Sequence, residues 1–360
     1  MEHTFLSSLS GSGWDFLIPI LLIMIPLGFL LIYALVAILA ELKISAFIQE
    51  RLGPMRTGPW GIFQPIAEVV KLLQKEDITP DAADKTFFNL APYLMFASAF
   101  AGFAVIPFSQ YFIAADINLG LFFIFAVGSI AVIGLVMGGW ASNNKYSLLG
   151  AMRSVAQLIS YEIPAAMCLL AVAAMAGSLD LQQISVDQSG GFWNWYILGG
   201  PGSAVKYWFI PFTLMLFMIY LIASLAETNR TPFDIPEGES EIVAGFHTEY
   251  SGMKFAMFFF AEYANMFIVS ALIVILLLGG WNPPYPGYLL ESIGLGQVGI
   301  ILEQVFWFVA KSFFFVLVQI WLRWTLPRFR MDQMMGLSWK ILIPGSFVCL
   351  LALAFMTMLK

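Results

Sequence analysis

The sequence predicts an all-α integral membrane protein: about eight transmembrane helices plus a surface amphipathic helix in the first loop, forming a single membrane domain over residues 1–360. Three observations carry this expectation. Hydrophobic residues make up 60% of the chain and charged residues 11%, against about 25% charged in an ordinary soluble domain. Apolar runs fall near 16–40, 88–108, 119–140, 155–177, 207–226, 255–280, 303–322 and 339–359; a helix crosses a bilayer with about 20 residues, and a barrel would alternate instead. Finally, fourteen of the seventeen Lys and Arg residues lie in the loops after spans one, three, five and seven.

That segregation sets the expected orientation. The positive-inside rule puts the basic loops in the cytoplasm or its organellar equivalent, and both termini on the outer side. A net charge of −6 argues against a phosphate backbone as partner. Two cysteines, Cys168 and Cys349, and two histidines, His3 and His247, are too few for an iron–sulfur cluster or a haem ligated across helices. If the chain takes part in redox chemistry, the electron carriers belong to other chains.

After span one comes ELKISAFIQERLGPMRTGPWGIFQPIAEVVKLLQKED, in which Gly53-Pro54 and Gly58-Pro59 force tight turns. From Trp60 to Glu76 the chain is too polar to span. Ile62, Ile66, Val69, Val70 and Leu73 recur at helical spacing opposite Gln64, Glu68, Lys71 and Lys75, as in a helix lying on the membrane surface or tying two spans together. The fourth span opens with Arg153, Gln157 and Tyr161 on one face, with Glu162 nearly opposite Arg153. A carboxyl at that depth must pair, protonate or meet water, and Pro164 nearby frees a backbone carbonyl, a common companion of a hydrated break.

The loop of residues 227–254 is acidic: Glu227, Asp234, Glu237, Glu239, Glu241 and Glu249 face only Arg230 and Lys254. Crowded carboxylates share protons, as a proton relay or cation vestibule needs; an exposed acidic loop is the plain alternative. The prolines and apolar residues of TPFDIPEG favour a folded, partly buried segment. Glu262 lies inside span six, and Glu303 and Lys311 in span seven, where Lys311 is expected to pair with a carboxylate. Trp14, Trp208, Trp281 and Trp339 read as interfacial anchors.

Together these motifs resemble the ND1-type membrane-subunit family of proton-pumping NADH:quinone oxidoreductase, respiratory complex I, from about Ala40 to Gly336. Its landmarks are Gln49 with Arg51-Leu52-Gly53-Pro54, Gly58-Pro59, Leu72 to Asp77, Arg153 to Gln157 with Ser160-Tyr161-Glu162, Glu227 to Asp234 through Glu241, and Arg323, Pro327 to Arg330 and Asp332-Gln333. The resemblance implies a membrane subunit, without its own cofactor, of a translocase in an energy-transducing membrane such as the bacterial inner membrane. Its partners would be hydrophilic quinone-module subunits carrying FMN and iron–sulfur clusters, together with small and antiporter-like membrane subunits; quinone would be the substrate.

The family's quinone portal and chamber would map to Glu41, Arg51, Trp60, Phe63, Glu68, Arg230 and Asp234. Tyr161, Glu162, Glu227, Glu237, Glu239, Glu241 and Glu262 would form the proton path, and Arg153, Arg328 and Arg330 would make structural ion pairs. Leu42 stands where the family has arginine, Met55 where Asn is common, Glu68 where Asp is common and Met331 where Tyr is common. A homologous subunit of a membrane-bound hydrogenase or formate-oxidising complex is the nearer alternative. A cation-coupled secondary transporter predicts internal repeats that the two halves do not show, and a structural anchor gives no reason for Glu162 and Glu262.

Overall fold

The computed structural model describes residues 17–201, 206–236, 238–290 and 296–358. Among them eight helices are long and apolar enough to cross a membrane. In chain order the helices are α1 (Leu17–Ile48), α2 (Gln64–Gln74), α3 (Lys85–Val105), α4 (Gly120–Ala141), α5 (Lys145–Ala176), the short α6 (Leu181–Asp187), α7 (Lys206–Glu227), the single turn α8 (Glu239–Ile242), α9 (Gly252–Leu277), α10 (Gly296–Thr325), α11 (Met331–Leu337) and α12 (Ile343–Met358). A π-helical turn, Ser338–Leu342, joins α11 to α12 into one span. No strand occurs among the described residues. The predicted fold class holds.

Local chemistry sets several helix ends. Asp84 caps α3 by accepting from the Thr86 and Phe87 amides. Asn144 and Asp180 do the same for α5 and α6, satisfying amides that a helix start leaves open. Helix α9 is the centre: from Ala261 to Leu277 all but one residue is buried, and α1, α2, α3, α6, α7 and α10 pack on it.

The spans run longer than their apolar cores. Helix α1 continues through Glu41 to Ile48, and α5 begins ten residues before the run near 155. The expected break at Pro164 is absent. Pro164 removes the amide that would bond the Ser160 carbonyl, and the Ser338 hydroxyl donates to that oxygen instead, at 2.6 Å. The helix therefore passes through proline intact, and the π turn beginning at Ser338 presents the replacement donor.

Two side-chain expectations are corrected. Trp281 is no interfacial anchor; it is 1% exposed, in the core. Trp208 and Trp339 are exposed near span ends, and Trp14 lies outside the described residues. Among the described residues Lys311 meets no carboxylate. Its ammonium donates to the Leu278 and Asn282 carbonyls at 2.8 and 2.9 Å and lies over the Trp195 ring. Leu278 caps the C-terminus of α9, where carbonyls lack helical donors and the helix dipole favours a cation.

Candidate functional site

Two adjoining features converge where α1, α7, α9 and α10 meet the charged-side loops. The first is ionic. Helix α7 ends in a left-handed turn at Asn229, φ +50°. The Arg230 amide bonds the Leu225 carbonyl and the Asn229 amide that of Ala226, the pattern of a Schellman motif. The turn aims Arg230 inward, where its Nη1 donates to both Glu41 oxygens at 3.0 and 3.1 Å. Arg323 of α10 and the Tyr263 hydroxyl of α9 also donate to Glu41, and the Arg230 guanidinium lies over the Tyr263 ring. Burial disfavours the Arg230 charge, but Glu41, Tyr263 and Glu262 more than offset it and hold its pKa above the ordinary arginine value. Among the described residues Arg230 Nε and Nη2 have no hydrogen-bond partner, leaving buried donors open to a water or a ligand oxygen.

The second feature is a cavity of 110 Å³ between α3, α4, α5, α7 and α9. Three carboxylates line it, Glu162, Glu227 and Glu262, beside Asn229 and Asn265. A water needs about 10–15 Å³ on this measure and a few polar partners, so the space accommodates several waters. The Ser129 hydroxyl donates to Glu162 at 2.5 Å. Gln157 anchors the end of α7 through the Ala226 carbonyl and Asn229, and so ties the cavity to the ionic cluster.

The sequence profile of the NADH dehydrogenase family matches residues 19–354. The chain belongs to the NADH dehydrogenase family. It is 53% identical to the H-type subunit of NADH-quinone oxidoreductase from Chlorobium luteolum, over 90% of this chain and 85% of that one. It is 50% identical to the corresponding NADH-quinone oxidoreductase subunit of Chlorobaculum parvum, over 96% and 95%, and 45% identical to one from Cytophaga hutchinsonii, over 89% and 94%.

In this NADH dehydrogenase chain the polar face of α5 divides its work. Arg153 bonds Glu241 at 2.5 Å, Gln157 holds α7, and the Tyr161 hydroxyl donates to the Met334 carbonyl. Tyr161 therefore lies outside the cavity lining. Arg328 pairs with Asp234 at 3.0 Å, while exposed Arg330 sits 3.6 Å from Asp332. Phe233 and Ile235 are buried, as expected of a folded loop. Glu237 lies outside the described residues, and the side chain of Glu239 is likewise not described. The helix expected from Trp60 to Glu76 begins only at Gln64, as α2; ahead of it Trp60 and Phe63 are exposed and exposed Arg51 bonds Gln49, while Glu68 of α2 accepts from Gln64.

Four contributors escape a reading of sequence as candidate site residues: Arg323, Tyr263, Asn229 and His247. Asn229 had a signal, an asparagine three residues before Pro232 at a helix end. His247 Nε2 lies 3.5 Å from Glu262. Among the described residues no three His, Cys, Asp or Glu side chains converge into a metal-holding group, and both cysteine thiols are buried in apolar packing.

Proposed function

We propose that this chain is the membrane subunit of an NADH-quinone oxidoreductase that forms, with hydrophilic partners, the portal and chamber for quinone and couples its reduction to proton translocation. The observation that carries the reading is the line of buried and half-buried charge running from Glu41, Arg323 and Arg230 past Asn229 to Glu227, Glu162 and Glu262 on one cavity. Ionisable groups inside a membrane are expensive and mark ion and proton pathways. Reducing a quinone to a quinol consumes two electrons and two protons, so it changes charge at the chamber. The open Arg230 donors suit a quinone oxygen, and a change there acts on the cavity through the electrostatic interaction of Arg230 with Glu262. FMN and iron–sulfur clusters on partner subunits supply the electrons; this chain orients quinone and moves protons. Exposed Trp60 and Phe63 fit a lipid-facing portal with Arg51 and Glu68 at its rim, and Asp234 holds the chamber loop through Arg328. Glu241, bound to Arg153, and the acidic loop extend the carboxylate set.

Glu162→Gln tests the reading. Glutamine retains the Ser129 hydrogen bond and loses the titrating proton. Inhibitor-sensitive NADH-to-quinone turnover and vesicle acidification should fall on the order of 100-fold, the scale of a lost proton-transfer group, with the complex still assembled. Wild-type pumping in an assembled variant removes Glu162 from the path.

A further inference from the structure

One histidine stands beside the cavity without lining it. His247 belongs to a short 3-10 turn, Gly245–His247, inserted beneath α5. The insertion depends on two glycines: a Cβ at Gly150 would lie 2.6 Å from the Gly245 Cα, and Gly245 takes φ +56°. The imidazole is 8% exposed, with the rings of Phe246, Phe255 and Phe258 around it. Phe255, Phe258 and Glu262 occupy one face of α9, so the face that encloses the ring also presents the carboxylate. Glu262 lines the cavity and His247 does not.

We propose that His247 and Glu262 form a proton-exchanging pair that passes protons from the charged-side loop into the three-carboxylate cavity. The proposal rests on the proton-path reading of that cavity. Hydronium from the solvent on the loop side protonates the imidazole and leaves water; the imidazolium N–H then transfers its proton to the ionised Glu262 Oε1, leaving neutral imidazole and a neutral carboxylic acid. Charge is conserved within the pair and no electron moves. The 3.5 Å separation closes to a proton-transfer distance with a small side-chain rotation, as catalytic hydrogen bonds often do. An unperturbed imidazole titrates near pH 6.5.

Charged and titratable groups surround the turn on several elements. Helix α4 carries no titratable residue, and α5 meets the turn with Ser147 and Gly150. Lys145 and Tyr146 begin α5, and Arg153 is bound to Glu241. On the loop itself Glu249 is held by Asn144 and Tyr250 by the Phe88 carbonyl. On α9, Lys254 pairs with Asp77 and Tyr263 with Glu41. Arg230 interacts with Glu262 from the end of α7.

The test is the pH profile of proton translocation, from about pH 5.5 to 8.5 around the imidazole range, by the whole complex in sealed vesicles carrying His247→Asn. Asparagine keeps a hydrogen-bonding side chain but cannot titrate. Wild type should show a limb, changing about tenfold per pH unit, that the variant lacks, while NADH oxidation by an artificial acceptor stays at wild-type level. His247→Gln should reproduce the flattened profile. A wild-type profile in an assembled variant overturns the proposal, as does loss of assembly in both variants, which would assign His247 to packing alone. Glu162→Gln, run in parallel, separates the two ideas: pumping that survives it sinks the cavity reading, whereas pumping lost in Glu162→Gln with an unchanged His247→Asn profile sinks only the histidine.

Discussion

Glu41 holds two guanidinium groups and a tyrosine hydroxyl, so its loss is not equivalent to the loss of any one of its partners. In Glu41→Gln, Arg230 and Arg323 face each other without the carboxylate between them. Removing one member of a buried charge network costs about 3–5 kcal/mol, because the remaining charge stays buried. In Arg323→Gln, Arg230 still pairs with Glu41, and Arg323 is the more exposed of the two. Thermal inactivation of the solubilised complex at a fixed temperature should accelerate roughly 100-fold in Glu41→Gln and far less in Arg323→Gln. Equal effects from the two variants would show that the cluster is not centred on the carboxylate.

At the level of the element, α5 shows how a proline is accommodated in a span. Ser338→Ala removes the donor to the Ser160 carbonyl, and an unsatisfied buried carbonyl costs about 1–3 kcal/mol. Pro164→Ala restores the amide that bonds the same oxygen. The double variant should therefore be more stable than Ser338→Ala alone, a coupling that a thermal double-mutant cycle measures; additive losses would mean that the serine acts elsewhere. The same helix marks what sequence reveals. Eight spans are legible because a bilayer demands long apolar runs. Their ends are not, because the polar residues that extend them are absorbed by distant partners. Glu41 sits in α1 because Arg230, 189 positions on, and Arg323, 282 positions on, reach it; no local periodicity encodes such pairs. The acidic loop is legible as a folded segment from Phe233 and Ile235, both buried, whereas His247 is not, since its placement depends on Gly150 admitting the turn. Lys311 misleads for a related reason: its acceptors are main-chain carbonyls at a helix end, which carry no signature of residue type.

On the scale of the whole molecule, the loops form two separate hydrogen-bonded layers at opposite ends of the bundle. In one layer the Asp84 amide bonds the Ala141 carbonyl, Asn143 bonds Ala82, Asn144 bonds Glu249, Ser251 bonds Glu76 and Lys254 pairs with Asp77. In the other, the Leu121 amide bonds Leu179, the Phe192 amide bonds Pro284, Gln182 bonds Gln110 and Asn282 bonds Ser185. The first layer holds the basic residues that the positive-inside rule counts, and by that rule it should face the cytoplasm. Single cysteines test that assignment cleanly, because native Cys168 and Cys349 are buried and contribute little background. Asp81 and Ser189 are exposed in the first and second layers respectively. A membrane-impermeant maleimide should label Asp81→Cys in inside-out vesicles only and Ser189→Cys in right-side-out vesicles only. The reverse pattern would invert the topology and put the Glu162, Glu227 and Glu262 cavity, with its loop, on the side of the membrane away from NADH. No proton path through His247 could then be fed from the cytoplasm, so this labelling bears on the mechanism as directly as any variant of the carboxylates.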